Sequence, residues 1–308
     1  MIPESKHRPL GNSGIMVSPL GAGTNRWSKG ENDEAIFQTY KTLLDAGVNF
    51  FDTAEIYNNG KSEQLLGSCH KSDPRHVVIA SKFMPYPTRI TATQFMNALD
   101  ASLRRLDVSK IDLYYIHFPF PPLSIETLME WMAKAYESGK IHAVGVSNFD
   151  AKQMRLAVTA LSKYNIPLAA NEVHYNLLHR QPEVDGVLDA CQELNVALVA
   201  YRPLERGRLK EITTSGAPPN TSISNNSKET KTSKEKALKD ILQNIAEQHG
   251  KSVTQVALNW LLRRDGHVIP IPGATKANHA LENVEALNWE MNKDEFAAID
   301  QASSPSRQ

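Results

Sequence analysis

Eight short runs of β-branched, aromatic and small apolar residues alternate along this chain with stretches whose apolar residues recur at helical spacing. The runs are Val17–Leu20, Asn49–Asp52, Val77–Lys82, Ile111–His117, Ala143–Ser147, Ala169–Val173, Ala197–Tyr201 and Val268–Ile271. Between them lie amphipathic segments such as EAIFQTYKTLLDAG, QFMNALDASLRRL, ETLMEWMAKAYESG and EVDGVLDACQEL, with Gly or Asn near several ends. Eight strand–helix alternations predict an α/β fold in which a parallel sheet closes into a (β/α)8 TIM barrel. The glycine-punctuated opening RPLGNSGIMVSPLGAGT predicts a β-hairpin ahead of it. An open sheet that holds a dinucleotide would want GxGxxG after its first strand, but the turn here reads GAGTNRW and lacks the third glycine.

A chain of 308 residues with 41% hydrophobic content can bury one large core, so residues 1–308 are expected to form a single barrel domain. Basic and acidic residues number 34 each, and this balance gives no reason to expect a nucleic acid or an anionic membrane as partner. The opening MIPESKHRPL has no apolar core of a signal peptide, so a cytoplasmic protein is expected, as a monomer or weak homo-oligomer. Cys69 and Cys191 stand far apart with no histidine at ligand spacing; both are expected to be buried thiols, with no metal site. From Glu211 to Lys236 the chain is rich in Ser, Thr, Asn and Lys, contains Pro218 and Pro219, and has no aromatic residue. Such a segment is expected to be a mobile loop or a lid rising from the seventh strand.

Four polar residues lie at or just after strand ends: Asp52, Tyr57, Lys82 and His117. In a barrel these ends share one face, where chemistry is kept. An ammonium beside a phenol favours the phenolate, so Lys82 near Tyr57 suggests a general acid, with Asp52 holding the lysine charged. His117 suits the orienting of a carbonyl oxygen. Taken singly, each of these residues has an ordinary explanation as a cap, a solvated charge or a packing residue; their joint placement does not.

On these residues the chain resembles the aldo-keto reductase superfamily, over nearly its whole length. FFDTAEIYNNGKSEQLLG is similar to that family's Asp and Tyr motif, ASKF to its Lys motif, DLYYIHFP to its His motif and GKIHAVGVSNF to its cofactor-amide motif. The resemblance implies a barrel that binds NADPH, with NADH as the alternative, and reduces a small-molecule aldehyde or ketone. It implies Tyr57 as proton donor, Lys82 and Asp52 as its tuning pair, and His117 as the carbonyl-orienting residue. Ser147, Asn148 and Glu172 would hold the nicotinamide carboxamide and Tyr201 would stack on its ring, with Gly23, Thr24 and Asp52 also against the cofactor. In AYRPLERGRL, residues Arg202, Pro203, Leu204, Arg206 and Gly207 fall on the pyrophosphate loop. In IPIPGATKANHALEN, residues Ile271, Pro272, Gly273, Ala274, Thr275, Lys276, His279, Glu282 and Asn283 fall on the adenosine end.

Three departures from the family pattern stand out. Glu172 stands where glutamine is common, which exchanges an amide for a group that accepts but does not donate when ionised. Arg202, Arg206 and Arg208 add charge beside the expected pyrophosphate; a grip on phosphate and ordinary solvated arginines are both open for the last two. His279 replaces an arginine often seen near the 2′-phosphate, leaving Lys276 at a helix start as the candidate charge. Trp27, Phe83, Met84, Tyr86, Phe118 and Phe120 follow strand ends, and Trp27, Phe83 and Phe118 are expected, with Tyr57 and His117, to line an open substrate pocket. Family members that serve as potassium-channel β subunits imply an alternative: an NADPH-binding regulatory protein with little turnover.

Overall fold

The computed structural model describes residues 1–27, 32–208, 225–264 and 266–305. Strands β1 (Arg8–Pro9) and β2 (Met16–Val17) pair antiparallel as the expected hairpin. Eight parallel strands follow: β3 (Ala22–Gly23), β4 (Phe50–Asp52), β5 (Val78–Phe83), β6 (Ile111–Ile116), β7 (Ile141–Ser147), β8 (Leu168–His174), β9 (Ala197–Tyr201) and β10 (Val268–Pro270). They are hydrogen-bonded in chain order, and Gly21 N donates to Pro270 O at 2.9 Å and Gly23 N to Pro272 O at 3.2 Å, which joins the last strand to the first. Seven of the eight strands are the runs expected from the sequence. Val17–Leu20 is not: Val17 belongs to the hairpin, and the first barrel strand is Ala22–Gly23. Its residues are small because the seam is tight. A Cβ at Gly21 would lie 2.7 Å from the Phe50 ring and 2.9 Å from Ile271, so the glycines that read as turn punctuation are packing requirements.

Helices α1 (Asp33–Asp45), α2 (Lys61–Ser72), α3 (Ala92–Leu106), α4 (Ile125–Glu137) and α5 (Ala151–Ser162) each follow a strand. Thr91 with Gln94 and Asp150 with Gln153 form capping boxes that fix where α3 and α5 begin. The segment expected as one helix at EVDGVLDACQEL splits into α6 (Gln181–Val184) and α7 (Val187–Glu193), because Gly186 takes φ 76 between them. Then come α8 (Asn225–His249), α9 (Val253–Leu262), α10 (Ala277–Val284) and α11 (Lys293–Ala302). Part of the segment expected as a loop, residues 211–224, lies outside the described residues; from Asn225 onward the chain is helical. The composition of NNSKETKTSKEK excludes a core element but not a helix whose anchor lies downstream, where Leu238, Leu242, Ile245 and Ala246 are buried. Among the described residues no helix is long and apolar enough to cross a membrane.

Strand periodicity divides the apolar residues into two layers. Phe50, Val78, Ala80, Leu113, Tyr115, Ala143, Ala170, Ala197, Val199, Ile269 and Ile271 fill the barrel interior together with Leu10, Ile15 and Val17 of the hairpin. Alternate residues, such as Phe51, Ile79, Tyr114, Val144 and Leu198, pack outward against the helices. The hairpin covers the end of the barrel at which the strands begin: Gly11 abuts the carbonyls of Ala169 and Asn195. Arg8 also donates to Val268 O and Leu262 O, both at 2.6 Å. That leaves the opposite end for a site.

Candidate active site

The interior rows end in polar residues. Two positions after Phe50 comes Asp52; after Ala80, Lys82; after Tyr115, His117; after Gly145, Ser147; after Ala170, Glu172; after Val199, Tyr201. A period of two puts all six on the inner face at the C-terminal rim, so the same alternation that fills the barrel also assembles the site. Gly145 has no side chain because Tyr115 occupies its place: a Cβ there would be 2.5 Å from the Tyr115 ring. Tyr115 thus forms the floor, with Lys82 Nζ 5.4 Å from its ring centroid.

Lys82 is fully buried at the centre. Its ammonium pairs with Asp52, donates to Thr53 O at 2.9 Å, and lies 3.1 Å from Glu172 Oε2. Burial alone would strip its proton, but the charges of Asp52 and Glu172 outweigh that and raise its pKa. Burial raises Asp52 while Lys82 pulls it back; Glu172 is driven well above the carboxylate range, by burial first and by Asp52 second. The substituted residue therefore does not stand apart as an isolated amide contact; it completes a cage around the lysine.

Tyr57, on the turn after β4, has its ring 5.3 Å from Lys82 Nζ and edge-on to His117 at 6.0 Å between centroids. The lysine acts on the phenol in the expected direction, but burial acts more strongly the other way, so the phenol's pKa is raised and its proton retained. His117 is pushed down to about 3, by burial first and then by the Lys82 charge. A neutral imidazole and an un-ionised phenol therefore face each other at neutral pH. Phe118 stacks on the imidazole at 5.1 Å. An Asn25 side-chain hydrogen bond also acts on Tyr57, a contact that no pattern in GAGTNRW announces. The ion pair Arg89–Glu55, with Glu55 also accepting from Met84 N at 2.7 Å, ties the turn bearing Tyr57 to the segment after β5.

The neighbouring residues form a chain of contacts. Ser147 Oγ and Asn148 N both donate to Glu172 O at 2.9 Å; Asn148 Nδ2 donates to His117 O at 3.1 Å, and Tyr201 O–H donates to Asn148 Oδ1 at 3.0 Å. His174 stacks on Tyr201 at 5.3 Å and on His179 at 4.0 Å. In the loop after β9, Arg202, Glu205 and Arg206 all have positive φ, at 49, 45 and 57 degrees. Each such residue costs about 1–2 kcal/mol, and functional loops are where that cost is tolerated. Asn176 Nδ2 holds Arg202 O at 2.8 Å, and Glu205 accepts from Asn176 and meets His174 Nε2 at 2.7 Å. Arg202 and Arg206 are exposed there, with Pro203 and Leu204 between them and Gly207 just after, whereas Arg208 is paired with Glu235 of α8. Gly23 and Gly273 meet as a parallel bridge, so the turn after β3 and the segment Ile271–Thr275 adjoin. Lys276 is the N-cap of α10, with His279 exposed in its first turn, Glu282 half-buried and Asn283 buried.

Three expected assignments move. Phe83 is buried on the outer face of β5, edge-on to Phe95 of α3 at 5.0 Å, because it follows inward-facing Lys82 by one residue. It does not line a pocket. Trp27 is also buried, and its indole N–H donates to Ala274 O at 2.8 Å, making it a strut between two loops. Thr24 spends its N–H and hydroxyl on Asp52 O, both at 2.9 Å, with Ser62 beside it. Phe118 and Tyr86 remain exposed, and Cys69 and Cys191 are buried free thiols as expected.

Comparison with known proteins agrees with this geometry. The model of the Aldo/keto reductase family matches residues 19–304. Pyridoxal reductase, chloroplastic, of Arabidopsis thaliana is 32% identical over 95% of this chain and 85% of its own length. L-glyceraldehyde 3-phosphate reductase of Escherichia coli K12 is 28% identical over 97% and 92%. A crystal structure of an aldo-keto reductase from Klebsiella pneumoniae in complex with NADPH superposes with a TM-score of 0.80, at 28% identity, covering 98% of this chain and 97% of that one. With its barrel, its buried lysine cage and a match over nearly all its length, this chain belongs to the aldo/keto reductase family.

Proposed function

We propose that this protein reduces a small aldehyde or ketone to the alcohol with NADPH, Tyr57 giving the proton and His117 orienting the carbonyl oxygen. The observation that carries the reading is the pairing of an un-ionised phenol with a neutral imidazole beside a buried, charged lysine. Negative charge grows on a carbonyl oxygen as it is reduced, and two neutral groups positioned to donate there favour the transition state over the ground state. A bound nicotinamide supplies the hydride.

The residues present fit such a cofactor. Tyr201, already stacked by His174, offers a rigid aromatic platform, and Ser147 with Asn148 supplies a donor and acceptor pair beside it. The strained loop carries exposed Arg202 and Arg206 toward the part expected to meet pyrophosphate. Lys276 and the first N–H groups of α10 suit a phosphate at the adenosine end. NADPH is therefore preferred over NADH. The names of the relatives favour small polar aldehydes as substrates.

The test is NADPH fluorescence quenching followed by NADPH oxidation with a panel of small aldehydes, on the wild type and Tyr57→Phe. The variant is expected to bind NADPH normally and lose about 10²–10⁴-fold in turnover. A near-normal rate would remove Tyr57 from its role, and quenching without turnover on any carbonyl would favour a regulatory NADPH-binding protein instead.

A further inference from the structure

Around Lys82 the charges do not balance. Its ammonium is in reach of two carboxyl groups, Asp52 from β4 and Glu172 from β8, each about 2% exposed on its side chain. The other titratable groups facing this cage are the phenols of Tyr57 on the turn after β4, Tyr115 from β6 and Tyr201 from β9, and the neutral imidazole of His117 just after β6. With both carboxyls ionised the cage would hold one cation against two anions, buried beyond the reach of solvent. The hydrogen bonds show the same deficit. Asp52 Oδ2 is buried with no donor and Glu172 Oε2 has only the shared ammonium at 3.1 Å, although the two carboxyl side chains are within hydrogen-bonding reach of each other.

We propose that Asp52 and Glu172 hold one proton between them, with Glu172 as the neutral acid, so that the cage beside Tyr57 carries no net charge. Asp52 stays ionised because Lys82 donates directly to its Oδ1. Glu172 then donates to the carboxylate of Asp52 through one oxygen and accepts through the other. That is the donor and acceptor pattern of the glutamine expected at this position, reached by protonation rather than by an amide. Two carboxyl groups sharing one buried site cannot both ionise at ordinary pH, and burial presses Glu172 the same way. The consequence falls on Tyr57. Two ionised carboxylates both oppose loss of the phenol proton, and one shared proton removes one of them.

This deepens the functional reading, since the cage flanks the proposed proton donor, but it is tested on protein free of cofactor and substrate, so the two can fail separately. A proton kept by folded Glu172 and released on unfolding stabilises the fold. That stability is full below the ordinary carboxyl pKa of about 4.3 and is lost as pH rises through the folded value. Thermal unfolding of the wild type and Glu172→Gln across pH is therefore expected to show a melting-temperature difference, wild type minus variant, that falls as pH rises. A difference that is flat or rises with pH overturns the proposal. Infrared spectroscopy supplies a second readout. The wild type at neutral pH is expected to show a carboxylic-acid C=O band that shifts on ¹³C-glutamate labelling and vanishes in Glu172→Gln. The labelling result stands even if the variant does not fold. No glutamate acid band at neutral pH would mean that Glu172 is ionised, and the proposal would be wrong.

Discussion

Replacing Lys82 with methionine would keep the length of the side chain and delete its charge. The wild-type ammonium pairs with Asp52, donates to Thr53 O at 2.9 Å, lies 3.1 Å from Glu172 Oε2, and is fully buried. All three interactions go at once. Removing one partner of a buried pair typically costs about 3–5 kcal/mol, because the remaining charge is left uncompensated. With a urea dependence near about 3 kcal/mol per molar for a chain this large, the midpoint should move down by roughly 1 M or more. The loss must also depend on pH. Without the cation both carboxyls avoid burial as anions only by taking protons, so their folded pKa values rise further above the unfolded ones. Stability from that source is full in acid and disappears as pH rises through the folded values. Urea unfolding followed by circular dichroism should accordingly show a larger penalty at about pH 8.5 than at about pH 5.5. A penalty under about 1 kcal/mol, or one identical at the two pH values, would refute the picture of a lysine holding two buried carboxyl groups.

Gly145→Ala should destabilise the protein by about 1–3 kcal/mol, since the new methyl would sit 2.5 Å from the Tyr115 ring. It should also lower turnover, because that ring is the floor under Lys82; thermal melting and steady-state rates read both effects, and an unchanged melt would mean that the floor gives way freely. Lys276→Ala should raise the Kd for NADPH by about 10- to 100-fold and leave NADH nearly unchanged, as a charged contact worth about 1.5–3 kcal/mol exists only with the 2′-phosphate. Equal losses for the two cofactors in a fluorescence titration would assign Lys276 a structural role at the start of α10.

The barrel was legible because each side chain's fate in a strand follows from parity. Once Phe50, Ala80 and Leu113 are taken as inward, Asp52, Lys82 and His117 must be inward too. Parity also corrects Phe83: sequence position alone put it near the site as an aromatic after a strand-end lysine, but one step along a strand reverses the face. Β3 was missed for the opposite reason. Ala22–Gly23 has no apolar bulk to reveal a strand, since the space is already filled by Phe50 and Ile271. Trp27 and Thr24 misled because a residue near the rim reads as a ligand contact until its partners are known, and both spend their donors on backbone carbonyls.

Three-dimensional charge is the part that no one-dimensional pattern carries. Glu172 looked like a tolerated exchange of one polar residue for another, with a carboxylate accepting where an amide did both. Its meaning changes once Lys82 and Asp52 are known to be its neighbours, because a group that keeps its proton can donate after all. Likewise, the sequence places Lys82 beside Tyr57 and argues for a depressed phenol pKa; the lysine does pull that way, but burial opposes it more strongly and Asp52 and Glu172 add to the opposition. Burial then decides the direction, and Tyr57 holds its proton. That suits the proton-donor role proposed for Tyr57, since a proton donor must arrive protonated.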